Sequence, residues 1–123
     1  MMLAWAQFEP ELQRLASKDL GSRITEIHHY GSYNCRRMTG NSKRLSLHAT
    51  GRALDIAGFT TADGRYVSVR DDWPRRSGAA STFLHNVAKA ACRHFNVVLT
   101  PNHDRAHRDH IHVDIGPWKL CKA

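Results

Sequence analysis

The chain is poor in most features that would classify it at a glance. Its 123 residues contain no apolar run near the roughly 20 needed to cross a bilayer, so no membrane span is expected. Acidic residues are scarce, 11 against 18 Lys and Arg, which leaves a formal charge of +7. That balance excludes a preference for cationic partners. It suits nucleic acid, an acidic wall polymer or an anionic membrane equally well, so charge alone does not choose. The basic residues (Arg36, Arg37, Lys43, Arg44, Arg75, Arg76, Arg105, Arg108) form no single run, as a merely solvated basic surface would also look. The three cysteines, Cys35, Cys92 and Cys121, lack CxxC spacing, which argues against a structural zinc knuckle. An odd count permits one disulfide with a leftover thiol, or three reduced core thiols, and the residues leave both open. Repeats, low-complexity segments and linkers are absent. The N-terminal MMLAWAQFEPELQRL has no basic start, long apolar centre or small-residue cleavage site, and so does not read as a signal peptide.

What remains is an ordinary globular composition, 41% hydrophobic and 24% charged, expected to form a single domain over residues 1–123 and a monomer. Trp5, Phe8, Leu12 and Leu15 recur at spacings of three and four, predicting a helix over 2–18. Pro10 is expected to kink it or start a second piece, and Gly21 to stop it. RITEIHHYGSY reads as a strand with Ile24 and Tyr30 as core candidates. Residues 34–51 are rich in turn formers and read as a long loop. ALDIAGF and RYVSV flank TTADG, whose Asp63-Gly64 pair signals a hairpin. The clearest helix is AASTFLHNVAKAACRHF, with Phe83, Val87, Ala91 and Phe95 in one stripe and Leu84 and Ala88 beside it. VVL at 97–99 and HIHVDI at 110–115 read as further strands. The expected architecture is α+β, a mainly antiparallel sheet with two flanking helices.

Chemistry concentrates in two places. In HRDHIHVDIG, residues 107–116, period two puts His110, His112 and Asp114 on one face and Ile111, Val113 and Ile115 on the other. In SLHATGRALDI, His48 precedes Asp55 by seven residues, and Gly51 between them permits a tight turn. Asp55 interrupts an aliphatic strand, where a carboxylate is costly unless its charge is compensated. One zinc ion explains both clusters. A catalytic site takes three protein ligands and leaves a fourth position for water. His48, Asp55 and one strand histidine make such a set, and bound metal lowers the pKa of water from about 15.7 to about 7. A second imidazole two residues away on the same face can move the proton. His28, His29, His85, His94 and His103 read as incidental surface or hydrogen-bonded residues.

These residues resemble a known group. SLHATGRALD resembles the SxHxxGxAxD signature of the LAS metallopeptidases, which take in lysostaphin-type enzymes, D-Ala-D-Ala carboxypeptidases and the zinc fold of hedgehog signalling domains. HRDHIH resembles the HxxHxH of the penicillin-insensitive murein endopeptidase branch. More closely, YGSYNCRR, LHATGRALDIAGF, the ADGR turn, FLHNVAKAACRHF and HRDHIHVDIG together resemble the bacterial extensin-like C-terminal domain family, from about residue 5 to 121.

The resemblance implies a LAS/hedgehog-type zinc peptidase fold with His48, Asp55 and His112 as ligands of Zn2+. It makes His110 the expected general base and Asp109 the rival for that role. His107 would bind substrate or tune the site, and Arg36 would bind substrate or steady the oxyanion. Ser46 and Asp114 would orient the ligands. Cys35 and Cys92 look like the family's usual disulfide pair, while Cys121 matches a residue usually paired with an N-terminal cysteine that this sequence lacks. A disulfide implies an oxidising compartment, periplasmic or exported. The leading expectation is a zinc-dependent peptidoglycan peptidase acting on stem peptides or cross-bridges of that anionic polymer, with no specific nucleic-acid partner. A zinc-binding wall-recognition module that does not cut would carry the same ligands. A metal-dependent nuclease, suggested by charge and histidine content, lacks a nuclease motif.

Overall fold

The structure, a computed structural model, describes residues 2–32, 53–75, 78–102 and 108–123. Among them the elements run α1 (Met2–Leu20), β1 (Ile24–Ser32), β2 (Ala53–Thr61), β3 (Tyr66–Ser68), α2 (Val69–Asp72), α3 (Ala79–Ala91), β4 (Val97–Leu99), β5 (Ile111–Asp114) and β6 (Leu120–Lys122). The strands form one sheet of order β1-β2-β5-β4-β6, with β3 pairing β2. All pairs are antiparallel except β4 with β6, so the sheet is mixed rather than antiparallel throughout. Among the described residues three helices stand where two were expected. The extra one, α2, is a single turn nucleated by Ser68, whose side chain accepts from the Asp71 N–H at 3.2 Å.

α1 runs unbroken through Pro10, which lies on the exposed side of the helix. The carbonyl that Pro10 leaves without a helical donor, four residues back, belongs to Ala6, which is also exposed. Gly21 ends α1 at φ 68°, and its N–H bonds the Ser17 carbonyl at 3.2 Å. Trp5, Phe8, Leu12 and Leu15 are all buried, as their spacing predicts. α1 and α3 pack against each other, and Trp5, Phe8 and Phe95 meet at centroid distances of 5.5–6.3 Å. Phe83, Val87, Ala91, Leu84 and Ala88 are buried on α3, while Phe95 joins the core from the turn beyond it. Facing these helices, Leu54 and Ile56 of β2, Val98 of β4, and Ile111 and Val113 of β5 contribute the sheet's share of the core.

The TTADG turn joins β2 to β3, with Gly64 at φ 92° and its N–H on the Thr61 carbonyl. Tyr30 is not a core residue. It is 54% exposed, because register irregularities on both sides of His29 break the alternation of β1.

The disulfide also differs from expectation. Cys92 pairs with Cys121, not with Cys35, at a Cα–Cα distance of 5.7 Å. β6 runs parallel to β4 with Cys121 opposite Val98, a core position, and this brings Cys121 to the end of α3 where Cys92 sits. Cys35 lies outside the described residues, as do the 34–51 loop, Arg36, Ser46, His48, His103 and His107.

The bridge spans a sequence separation of 29, for which chain entropy gives about 3.5 kcal/mol of stabilisation. Cys121→Ser is therefore expected to lower the unfolding free energy by about 2–4 kcal/mol, measured by urea denaturation. A loss under 0.5 kcal/mol would show that β6 is not held this way.

Candidate functional site

The sheet face turned away from the helices carries the polar half of each alternation. Asp55 of β2 and His112 of β5 are direct cross-strand partners. Their neighbours Leu54, Ile56, Ile111 and Val113 are buried on the other face. Backbone pairing therefore brings carboxylate and imidazole together, and His112 Nδ1 stands 2.8 Å from Asp55 Oδ1. The other ring nitrogen, Nε2, faces Asp114 Oδ2 at 3.4 Å. Asp114 is held by the Gly116 N–H on its carboxylate and the Asn96 N–H on its carbonyl. Hydrogen bonding to Asp55 is the main reason that His112 keeps its proton to a higher pH than a free imidazole. Burial opposes that effect, and Asp114 adds to it.

His110 immediately precedes β5. Its Nε2 lies 3.7 Å from the same Asp55 oxygen, and its Nδ1 is 2.9 Å from Asp109 Oδ1. The His110 bond is the largest influence holding the Asp109 carboxyl below the usual carboxylate range. Tyr30 closes this group. Its hydroxyl donates to Asp109 Oδ2 at 3.4 Å, and its ring meets that of His110 edge-on, with centroids 6.0 Å apart. Burial, with the nearby Asp109 charge, pushes the Tyr30 phenol up. The result is a hydrogen-bonded chain from Tyr30 through Asp109 to His110, ending beside Asp55.

Of the expected site residues, Asp55, Asp109, His110, His112 and Asp114 thus converge on one face. The side chains of Asp55, His110 and His112 are 36%, 15% and 16% exposed, so this group borders solvent. Tyr30 belongs to the group too, although its sequence context suggested core. The imperfect alternation of this segment does not locate the bulged end of β1 that turns it outward.

The donors present suit zinc. Bonds of about 2.0–2.1 Å in tetrahedral geometry place neighbouring donor atoms about 3.3 Å apart. A carboxylate oxygen and an imidazole nitrogen at 2.8 Å need little adjustment to share one ion. Asp114 on the far nitrogen of His112 is the carboxylate–histidine arrangement that orients ligating imidazoles. Among the described residues, however, no three His, Cys, Asp or Glu side chains form a group able to hold a metal. The expected third donor, His48, lies outside them.

The incidental histidines behave differently. His28 Nε2 meets Thr60 Oγ1 at 2.7 Å, and His94 Nε2 meets Glu11 Oε1 at 2.9 Å with its ring against Phe8. Both serve the scaffold. His85 instead borders a cleft.

Taken together, fold and site define an α+β domain presenting an Asp/His cluster on an open sheet face. Residues 1–122 match the profile of the extensin-like protein C-terminus, and the chain belongs to that family. No curated protein and no solved structure matches it.

In metal-free protein, His112 is expected to titrate above the ordinary imidazole value of 6.5. A raised imidazole pKa contributes stability that is complete below the unfolded value and is lost as pH rises through the folded one. Asp55→Asn removes the main cause, so the NMR titration midpoint of His112 should fall. An unchanged midpoint would show that Asp55 does not hold the ring.

Proposed function

We propose that the chain is a zinc-dependent peptidase that hydrolyses an amide bond in peptidoglycan stem peptides or cross-bridges. The observation that carries this reading is the Asp55–His112 contact of 2.8 Å with His110 Nε2 at 3.7 Å from the same carboxylate oxygen. That arrangement puts a carboxylate and an imidazole close enough to share one ion beside a second imidazole able to carry a proton. In this reading His48, Asp55 and His112 hold the metal. Bound zinc would supply a Lewis acid for the scissile carbonyl and a water acidified toward neutrality.

The chain's own residues then handle the proton. His110 Nδ1 is engaged by Asp109, and Nε2, 3.7 Å from Asp55, is assigned to take a proton and return it to the leaving amine. Asp109, held ionised by that same bond, is a weak base, so its assigned role is to orient and charge-stabilise His110. Tyr30 fixes Asp109 from the other side. Arg36 is assigned to the oxyanion and His107 to substrate binding, as the family resemblance implies. The +7 charge suits an anionic wall polymer, and the disulfide is consistent with an exported protein.

Purified sacculi incubated with zinc-loaded protein should yield new peptide ends, mapped by mass spectrometry. His110→Ala should retain zinc and lose about 10²–10⁴ in rate. His112→Ala should lose zinc and activity together. Tyr30→Phe deletes one hydrogen bond to the ionised Asp109; at 3.4 Å and exposed, it falls at or below the low end of the charge-assisted range, about 0.5–1.5 kcal/mol, so the rate should fall about two- to tenfold. Full cleavage by His110→Ala would overturn the base assignment. Stoichiometric zinc without cleavage of any sacculus would overturn the peptidase reading in favour of a wall-recognition module.

A further inference from the structure

A cleft of about 550 Å³ opens between the turn after α2 and the exposed side of α3, lined by residues outside the Asp/His cluster. Its floor is a pair of stacked rings. The Trp73 indole is 4% exposed, and the His85 ring stacks on it at a centroid distance of 3.8 Å and 23° between planes. Trp73 Nε1–H donates to Asn102 Oδ1 at 3.3 Å. Asn102 is thereby pinned with its amide NH2 unused in that bond. His85 Nδ1 lies 2.8 Å from the Ser81 carbonyl, an acceptor only, so Nδ1 carries the hydrogen and Nε2 of the neutral ring is an acceptor. The sequence marks His85 as one more incidental histidine. The structure fixes both its plane and its tautomer.

Around that floor the helix supplies Thr82, Asn86 and Lys89, which share one face with His85 at spacings of three and four. Lys89 has no ion-pair partner among the described residues. Arg75 also lines the cleft, with Asp72 Oδ1 3.5 Å from its Nε. Among the described residues no carboxylate lines the cleft. Two carboxylates reach its lining from behind: Asp72, which pairs with Arg75, also accepts from the Ser68 N–H at 2.8 Å, and Asp19 accepts from Asn86 Nδ2 at 3.0 Å. The described walls therefore offer Lys89, an Arg75 shared with Asp72, a hydroxyl, two amides and an imidazole acceptor, with no acidic side chain among the lining residues described. A lone inorganic anion would leave most of the cleft unfilled, and an apolar ligand would strand these polar groups.

We propose that this cleft binds a hydroxyl-rich monocarboxylate of sugar size, with Lys89 and Arg75 on the carboxylate and Thr82, His85, Asn86 and Asn102 on the hydroxyls. Free sugar acids and the acidic ends of glycans share this chemistry. The site is independent of the Asp/His face and of whether that face is catalytic.

The test is NMR-monitored titration of the full chain with glucuronate, glucose, acetate and a glucuronate-ended trisaccharide. Glucuronate is expected to shift His85, Lys89 and Asn102 resonances, and to bind at least tenfold more tightly than glucose or acetate. Lys89→Ala changes an exposed residue, so the fold should persist while glucuronate affinity falls at least fivefold. A tighter trisaccharide would assign the cleft to glycan ends, and equal affinity would assign it to the free sugar acid. Acetate binding as well as glucuronate would overturn the proposal, as would shifts confined to His112 and His110, or no shift at 20-fold excess over millimolar protein.

Discussion

The register between β2 and β5 is the constraint on which both halves of this molecule rest. Leu54 faces Val113 and Ile56 faces Ile111 on the buried side, while Asp55 faces His112 on the open side. A slip of one residue would carry Asp55 or His112 beneath the helices and expose the aliphatics. Core burial therefore enforces the site, and the site needs no device of its own to bring carboxylate and imidazole together. The burial of four large aliphatics favours this register by several kcal/mol over its neighbours, since each is worth about 1.5–3 kcal/mol.

The rest of the fold protects that pairing from either side. On one side, β1 covers the free edge of β2 and delivers Tyr30 to the Asp109–His110 pair through its bulged end. On the other, β4 pairs with β5 and is itself covered by β6, which the Cys92–Cys121 bridge ties to the end of α3. α1 is joined to β1 through Gln13, whose amide both donates to the Ile24 carbonyl and accepts from its N–H, at 2.9 and 2.8 Å. The sheet thus reaches the site as a rigid platform, and its histidines gain position at little entropic cost.

How much of this was legible in the sequence depended on whether a signal was local. HIHVDI declares its two faces by strict alternation, and the α3 stripe declares its own by the helical period, so both were readable directly. Tyr30 differs from its expected core position because irregularities on both sides of His29 shift the period, and the imperfect alternation of the segment does not say where. β6 is three residues long and exposed throughout, with no alternation to find, and its pairing with β4 is a long-range event. The disulfide depended on β6, so Cys92 was assigned the wrong partner. Which nitrogen of His110 meets Asp109 was also illegible, because adjacent residues give no indication of which ring nitrogen is engaged. The cleft at His85 joins a turn, a helix and the end of β4, none of which marks it alone.

The central claim is that the open face holds one zinc ion through oxygen and nitrogen donors. Zinc K-edge X-ray absorption on the purified protein tests it most directly, because it reports stoichiometry and donor type without requiring turnover. The account predicts one zinc per chain with a nitrogen and oxygen shell at about 2.0–2.1 Å and multiple-scattering features of two imidazoles. A chain that takes up no zinc after reconstitution, or one whose zinc shows a sulfur shell at about 2.3 Å, would contradict it.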